Sequence, residues 1–228
     1  MKLYALLMAI SFVGPLLLSF DKKVAYYKIW PGLFVGIFIN GILFISWDYW
    51  FTLKGIWSFN PNYLLGSSLL NLPLEEWAFF MVVPFASVFI YACIKAYFPK
   101  NGFKAFVPYA NYFFIAMCSL AIILFYQKTY TRVNCSIALM VLILQQFWIK
   151  GKYMGFFWQA YFVHLIPFLL INGVLTGAIT PEPIVSYNPE HIIGWRFLTI
   201  PLEDSIYALT CLLIPVSVLE YYYRDKVT

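Results

Sequence analysis

Asn60–Glu76 reads NPNYLLGSSLLNLPLEE, and Asn188–Asp204 reads NPEHIIGWRFLTIPLED. Set against each other without a gap, at an offset of 128, they share Asn-Pro, Gly66/Gly194, Pro73/Pro201, Leu74/Leu202 and Glu75/Glu203. Upstream, INGILF at Ile39 and INGVLT at Ile171 match at an offset of 132, so the first copy carries a loop four residues longer. An ungapped 17-residue match that includes two prolines and a glycine marks an internal duplication.

The rest of the chain says what is duplicated. Of its 228 residues, 63% are hydrophobic, 21% aromatic and 11% charged, where soluble domains carry roughly 25% charged residues. The composition is that of an integral membrane protein with no separate soluble domain. Seven stretches approach the ~20 apolar residues of a transmembrane helix: Leu3–Phe20, Ile29–Trp47, Leu74–Ile94, Phe106–Tyr126, Val133–Ile149, Phe156–Ile179 and Ile200–Tyr222. The first is read as a helix and not a signal peptide, because no A-x-A-like site follows it. The expected fold is all-α: seven transmembrane helices forming two parallel three-helix repeats joined by a linking helix. Residues 1–105 form the first repeat, 106–130 the linking helix and 131–228 the second repeat. One linking helix after three makes the repeats parallel, related by a pseudo-two-fold axis along the membrane normal. Both acidic phrases then face each other across that axis at one side of the membrane.

Basic residues assign the sides. Lys2, Lys54, Lys128, Arg132 and Arg196 share the side of the N-terminus. Lys22, Lys23, Lys28, Lys95, Lys100, Lys104, Lys150, Lys152, Arg224 and Lys226 lie on the other. The bias puts the N-terminus outside and the C-terminus in the cytoplasm. The net charge of +5 is thus a topology signal and not a nucleic-acid footprint. The four cysteines, Cys93, Cys118, Cys135 and Cys211, show no metal-binding spacing and read as helix-packing residues.

The candidate chemistry lies in the doubled phrase. Pro73 and Pro201 suit a first helical turn, with Asn71 and Thr199 as caps. Glu75, Glu76, Glu203 and Asp204 then fall in that turn. Adjacent helix residues point about 100° apart, so one acid of each pair faces inward. Glu75 and Glu203, identical in both copies, are the expected inward pair. A helix N-terminus favours their charged form, and apolar burial opposes it. A carboxylic acid that keeps its proton in such a place is a general acid. The blander alternative is that these acids cap helices or pair with Lys54 and Arg196. Asp48, without a counterpart in the second repeat, either orients Glu75 or ends a helix. Trp47, Trp57, Trp77, Phe80, Trp195 and Tyr207 lie near the acids. They are either an interfacial belt or walls that stabilise a cation through their π faces. Asn40 and Asn172 are either packing contacts or pocket-lining groups, and His164 reads as an interhelical hydrogen bond. No flavin, nucleotide or metal motif occurs, and helix 7 lacks a lysine for a retinal Schiff base, although the helix plan resembles a microbial rhodopsin.

Pro-Leu-Glu-Glu at Pro73–Glu76 and Pro-Leu-Glu-Asp at Pro201–Asp204, with WDYW at Trp47 and GIWSFNP at Gly55, resemble the membrane lycopene cyclases. These are the heterodimeric bacterial type and the cyclase part of fungal bifunctional enzymes, here with both halves in one chain. The resemblance implies a cofactor-independent isomerase of carotenoid biosynthesis in a bacterial inner membrane. It would protonate lycopene at C2 and close a β-ring without redox change. The implied catalytic residues are Glu75, Glu76, Glu203, Asp204 and Asp48, with no division into acid and base. The implied partners are lycopene or a related linear carotenoid, membrane lipid and, as a further option, other carotenoid enzymes; no nucleic acid and no metal are expected. A composite site on the axis would serve both substrate ends in turn, so that removing Glu75 or Glu203 blocks both closures. The alternatives are a carotenoid hydratase, in which water quenches the cation, and a transporter of the same helix plan.

Overall fold

The computed structural model describes residues 2–100 and 102–224. Lys226, counted above among the basic residues of one side, lies outside them. The seven expected helices are α1 (Leu3–Leu18), α2 (Trp30–Leu53), α3 (Leu74–Tyr97), α4 (Val107–Leu124), α5 (Thr129–Ile143), α6 (Met154–Leu175) and α7 (Glu203–Tyr222). Helix α5 continues as a π-helical turn over Leu144–Ile149. Six helical segments are long and apolar enough to cross a membrane, and α1, with 16 residues, is shorter. Proline occupies the first turn of α2 and α4, where its missing N–H costs nothing. Large apolar side chains such as Phe38, Ile123 and Leu170 point outward. That outward face suits lipid, which offers them no worse a solvent than the protein core.

Helix packing follows the duplication. α1 lies along α3 as α5 lies along α7, and α2 packs on α7 as α6 packs on α3. Each repeat therefore lends its middle helix to the other. α3 and α7 meet at the centre, while α4 packs outside against α5 and α6.

The connections at the acidic end contain short strands the helical expectation did not include. After α2 comes β1 (Trp57–Phe59), then the hairpin β2 (Ser68–Leu69) and β3 (Leu72–Pro73). After α6 comes β4 (Val185–Tyr187), then the hairpin β5 (Arg196–Phe197) and β6 (Ile200–Pro201). Strands β1 and β4 pair antiparallel, with Trp57 opposite Tyr187, Ser58 opposite Ser186 and Phe59 opposite Val185. Every pair exchanges with another, or with itself, at the offset of 128. A two-fold relation requires this register and runs its axis between Ser58 and Ser186. The flanking bonds obey the same rule: Asn60 N–H donates to the Ile184 carbonyl, and Asn188 N–H to that of Ile56.

The hairpins move the start of each helix. Pro73 closes β3 and Pro201 closes β6, so both prolines precede their helices. Asn71 and Thr199 are not caps. Asn71 takes a positive φ of 58° at the hairpin tip, and the Thr199 hydroxyl bonds that of Thr176. Gly66 and Gly194 adopt φ of +95° and +93°, which only glycine enters without strain.

Candidate active site

The N-termini of α3 and α7 bring Glu75, Glu76, Glu203 and Asp204 together under the β1–β4 ribbon. All four are buried, at 2%, 7%, 3% and 2% exposure. Neighbouring acids on each helix turn to different partners. One Glu75 oxygen accepts the Leu65 N–H at 2.6 Å, and one Glu203 oxygen accepts the Ile193 N–H at 2.7 Å. Leu65 and Ile193 are again related by 128, and each immediately precedes its positive-φ glycine. Glu203 also accepts from the Thr131 hydroxyl at 2.8 Å. These two acids hold their own loops.

Glu76 and Asp204 instead face a shared cavity of about 40 Å³. The inward pair is therefore the second acid of each phrase, not Glu75 and Glu203. The cause is the helix start: with α3 beginning at Leu74, Glu76 shares a face with Phe79 three residues on, and Asp204 with Tyr207. All four side chains line the cavity, with Trp57, Phe59, Tyr130, Phe168, Asn172 and Tyr187.

The two inward carboxyls have unlike surroundings. Asp204 accepts from the Tyr130 hydroxyl at 2.6 Å, the Asn172 amide at 2.7 Å and the Tyr187 hydroxyl at 3.0 Å. Burial, then the Asp204 charge, raises the Tyr187 hydroxyl well above its usual pKa, so Tyr187 remains a donor. Glu76 accepts only from the Tyr4 hydroxyl, at 2.6 Å. Beside it is Asp48, fully buried and within hydrogen-bonding reach. No N–H or O–H donor among the described residues reaches either Asp48 oxygen. Two buried carboxyls side by side, with the Tyr4 hydroxyl as their one outside donor among the described residues, repel unless a proton lies between them. Asp48 thus faces Glu76 and not Glu75, and it does not end a helix, since α2 runs on to Leu53.

The remaining candidates divide. Trp57, Tyr207 and Asn172 line the cavity. Trp47 stands behind it, with its ring 5.4 Å from Tyr207 and 6.4 Å from Trp57. Phe80 is turned towards Phe44. Asn40 is buried and donates weakly to Cys211 Sγ at 3.6 Å. Two candidates lie elsewhere. Trp77 sits about 100° round α3 from Glu76, in a cleft facing outward with Phe38 and Met81. Trp195 immediately precedes β5 and is 65% exposed. Among the described residues Lys54 and Arg196 form no ion pair with the acids; Arg196 donates to the Thr199 carbonyl oxygen, and the ion pair is Lys95–Glu220. His164 bonds Ser87 across α6 and α3 at 3.0 Å, the interhelical role expected of it.

Tyr4, Tyr130 and Thr131 escaped the sequence reading. Their signal was available: Tyr4 and Tyr130 stand near the start of the first helix of each repeat and bond the corresponding acids Glu76 and Asp204. No group of three or more His, Cys, Asp or Glu among the described residues is arranged for a metal ion.

Fold and site together define a membrane-embedded helical bundle with an acid-bearing, aromatic-walled cavity near one end. The lycopene cyclase family model matches residues 1–94 and 127–222, which is most of the chain. The chain belongs to the lycopene cyclase family, of the membrane type. No curated protein and no solved structure matches it.

Proposed function

We propose that this protein closes the linear ψ ends of lycopene, or of a related linear carotenoid, into β-rings by acid–base catalysis. The observation that carries the reading is the meeting of Glu76 and Asp204, one from each half, in a single aromatic-lined cavity. The Glu76–Asp48 pair, holding one proton between two carboxyls, gives it to C2 of the substrate. The resulting cation at C1 is attacked by the C5=C6 double bond. The C1–C6 bond forms, and the charge moves to C5. The rings of Trp57, Tyr130, Tyr187 and Tyr207 present π electrons to that charge. Asp204, held as an acceptor by three donors, takes the proton from C6, and the C5=C6 double bond of a β-ring results. One proton enters and one leaves, so the reaction is an isomerisation with no redox change. Returning the proton from Asp204 to Glu76 resets the site.

In this reading Glu75 and Glu203 position the two connections that roof the cavity. The chain divides into residues 1–105, 106–130 and 131–228, and the site belongs to neither repeat alone. The basic residues favour the acidic end outside and the C-terminus in the cytoplasm.

The test is pigment analysis in a lycopene-accumulating bacterial host. Cyclic carotenes from the wild type, and only lycopene from Glu76→Gln and Asp204→Asn at equal membrane levels, support the reading. Undiminished cyclisation by either variant defeats it. A hydroxylated product would mean that water quenches the cation, which is the hydratase reaction.

A further inference from the structure

The acid cavity is small, at about 40 Å³ a tenth of the volume of its neighbour. Beside it lies a second cavity of about 400 Å³. This is a groove between α1, α3 and α6, floored by Ala86, Ser87 and His164 and edged by Ile10, Gly14 and Leu18. Ile10 and Leu18 are 60% and 56% exposed, so the groove opens sideways to the apolar surroundings of the bundle. Phe79, Phe168, Asn172 and Leu175 line both the groove and the acid cavity. They are the partition between the two.

From Phe79 to Ile90 the groove follows α3 over 12 residues, about 16 Å at 1.5 Å per step. That is half the ~30 Å hydrocarbon thickness. Two of its polar side chains are engaged elsewhere: the Ser87 hydroxyl bonds both the Val83 carbonyl and His164, and Asn172 donates to Asp204.

The corresponding place in the other repeat carries bulkier side chains. At the offset that relates Tyr4 to Tyr130, Ser11 and Gly14 become Ile137 and Met140. At the offset of 128, Ala86 and Ser87 become Ile214 and Pro215. Four small residues are replaced by larger ones. On the facing helix Phe168 becomes Gly36 at the offset of 132. A Cβ added to Gly36 would lie 2.9 Å from the Pro215 carbonyl oxygen, so α2 and α7 touch backbone to backbone. The small residues thus hold a groove open on one side, and glycine lets the helices close it on the other.

We infer that the groove between α1, α3 and α6 is the lateral entrance of the site. It holds one half of a linear carotenoid while the end group passes between Phe79 and Phe168 to Glu76 and Asp204. The inference rests on the proposed cyclisation for the identity of the occupant.

Gly14 is the place to test it, because a Cβ there meets nothing within 4 Å. Gly14→Trp fills the groove, and Met140→Trp puts the same ring at the corresponding position of the closed side. In the lycopene-accumulating host, Gly14→Trp is expected to lower conversion at least tenfold and Met140→Trp less than twofold. Bound pigment gives a readout independent of turnover. Protein purified in mild detergent as Asp204→Asn is expected to carry polyene absorbance, and Asp204→Asn with Gly14→Trp to carry less than a tenth of it. Wild-type conversion by Gly14→Trp, equal losses in both tryptophan variants at equal membrane levels, or full pigment in the double variant overturns the groove. If Gly14→Trp does not accumulate, Gly14→Leu and Ser11→Phe are read by the same criteria. Conversion by Asp204→Asn itself would defeat the catalytic reading, and the pigment measurement on the groove would still stand.

Discussion

Glu75 and Glu76 are adjacent in the chain and do different work. Glu75 fixes the Leu65 amide and Glu76 faces the cavity, as Glu203 fixes Ile193 and Asp204 faces the cavity. Glutamine at position 75 keeps an acceptor oxygen for the Leu65 N–H, whereas glutamine at 76 removes the group proposed to carry the proton. Glu76→Gln is therefore expected to lower conversion by at least 100-fold and Glu75→Gln by far less, with product formation at equal membrane levels as the measure. Glu75→Ala removes the charged acceptor of the Leu65 N–H. It is expected to destabilise the protein by about 1–3 kcal/mol, read from thermal unfolding in detergent. The two tyrosines should also differ. Tyr130→Phe leaves Asp204 two donors, from Asn172 and Tyr187, while Tyr4→Phe leaves Glu76 only the Asp48 carboxyl. Tyr4→Phe is expected to cost the larger factor in turnover, and the reverse order would count against the unlike roles given to the two carboxyls.

The helices and the hairpins differ in how far the sequence exposes them. Seven apolar runs located seven helices to within a few residues at most ends, because lipid leaves the backbone no other economical way to satisfy its hydrogen bonds. The β2–β3 and β5–β6 hairpins have no such signature. Residues Ser68–Pro73 show neither clean alternation nor an Asn-Gly turn, and the β1–β4 ribbon exists only because two distant connections meet on the axis. Those hairpins set where α3 and α7 begin, and the starting residue decides which acid turns inward. For that reason the acids were legible as a set, but their facing was not. Trp77 and Trp195 were misplaced for the same reason: one is a 100° step from Glu76, and the other stands at the start of an unrecognised hairpin. The glycines at 66 and 194 do carry a readable cost. Alanine at either φ near +95° is expected to lose about 1–3 kcal/mol and to swing the preceding N–H from its glutamate, lowering stability and turnover together. If Gly66→Ala left both unchanged, the loop amide would have no part in holding Glu75.

At the scale of the whole molecule, the parallel duplication puts both acidic phrases at one end of the bundle, and the ribbon ties the two connections over them. A linear carotenoid about as long as the hydrocarbon core is thick can present only one end to such a site at a time. The repeats have also diverged in complementary ways. The first supplies Asp48 and the small residues of α1 and α3 that keep the groove open, and the second supplies Asn172 and Tyr187 around Asp204. Neither half holds both the Glu76–Asp48 pair and an acceptor with three donors, so in the proposed reaction neither half alone would be a complete acid–base system. Two ring closures then require two visits with release between them. In a time course of the wild type, the monocyclic carotene is expected to rise and fall before the bicyclic product accumulates. Glu76→Gln and Asp204→Asn are each expected to leave lycopene with no monocyclic carotene. Two independent sites would instead let each variant accumulate the monocyclic product. Chromatography of the three strains against time separates the cases, because the composite site makes the first closure, and not only the second, depend on both halves of the chain.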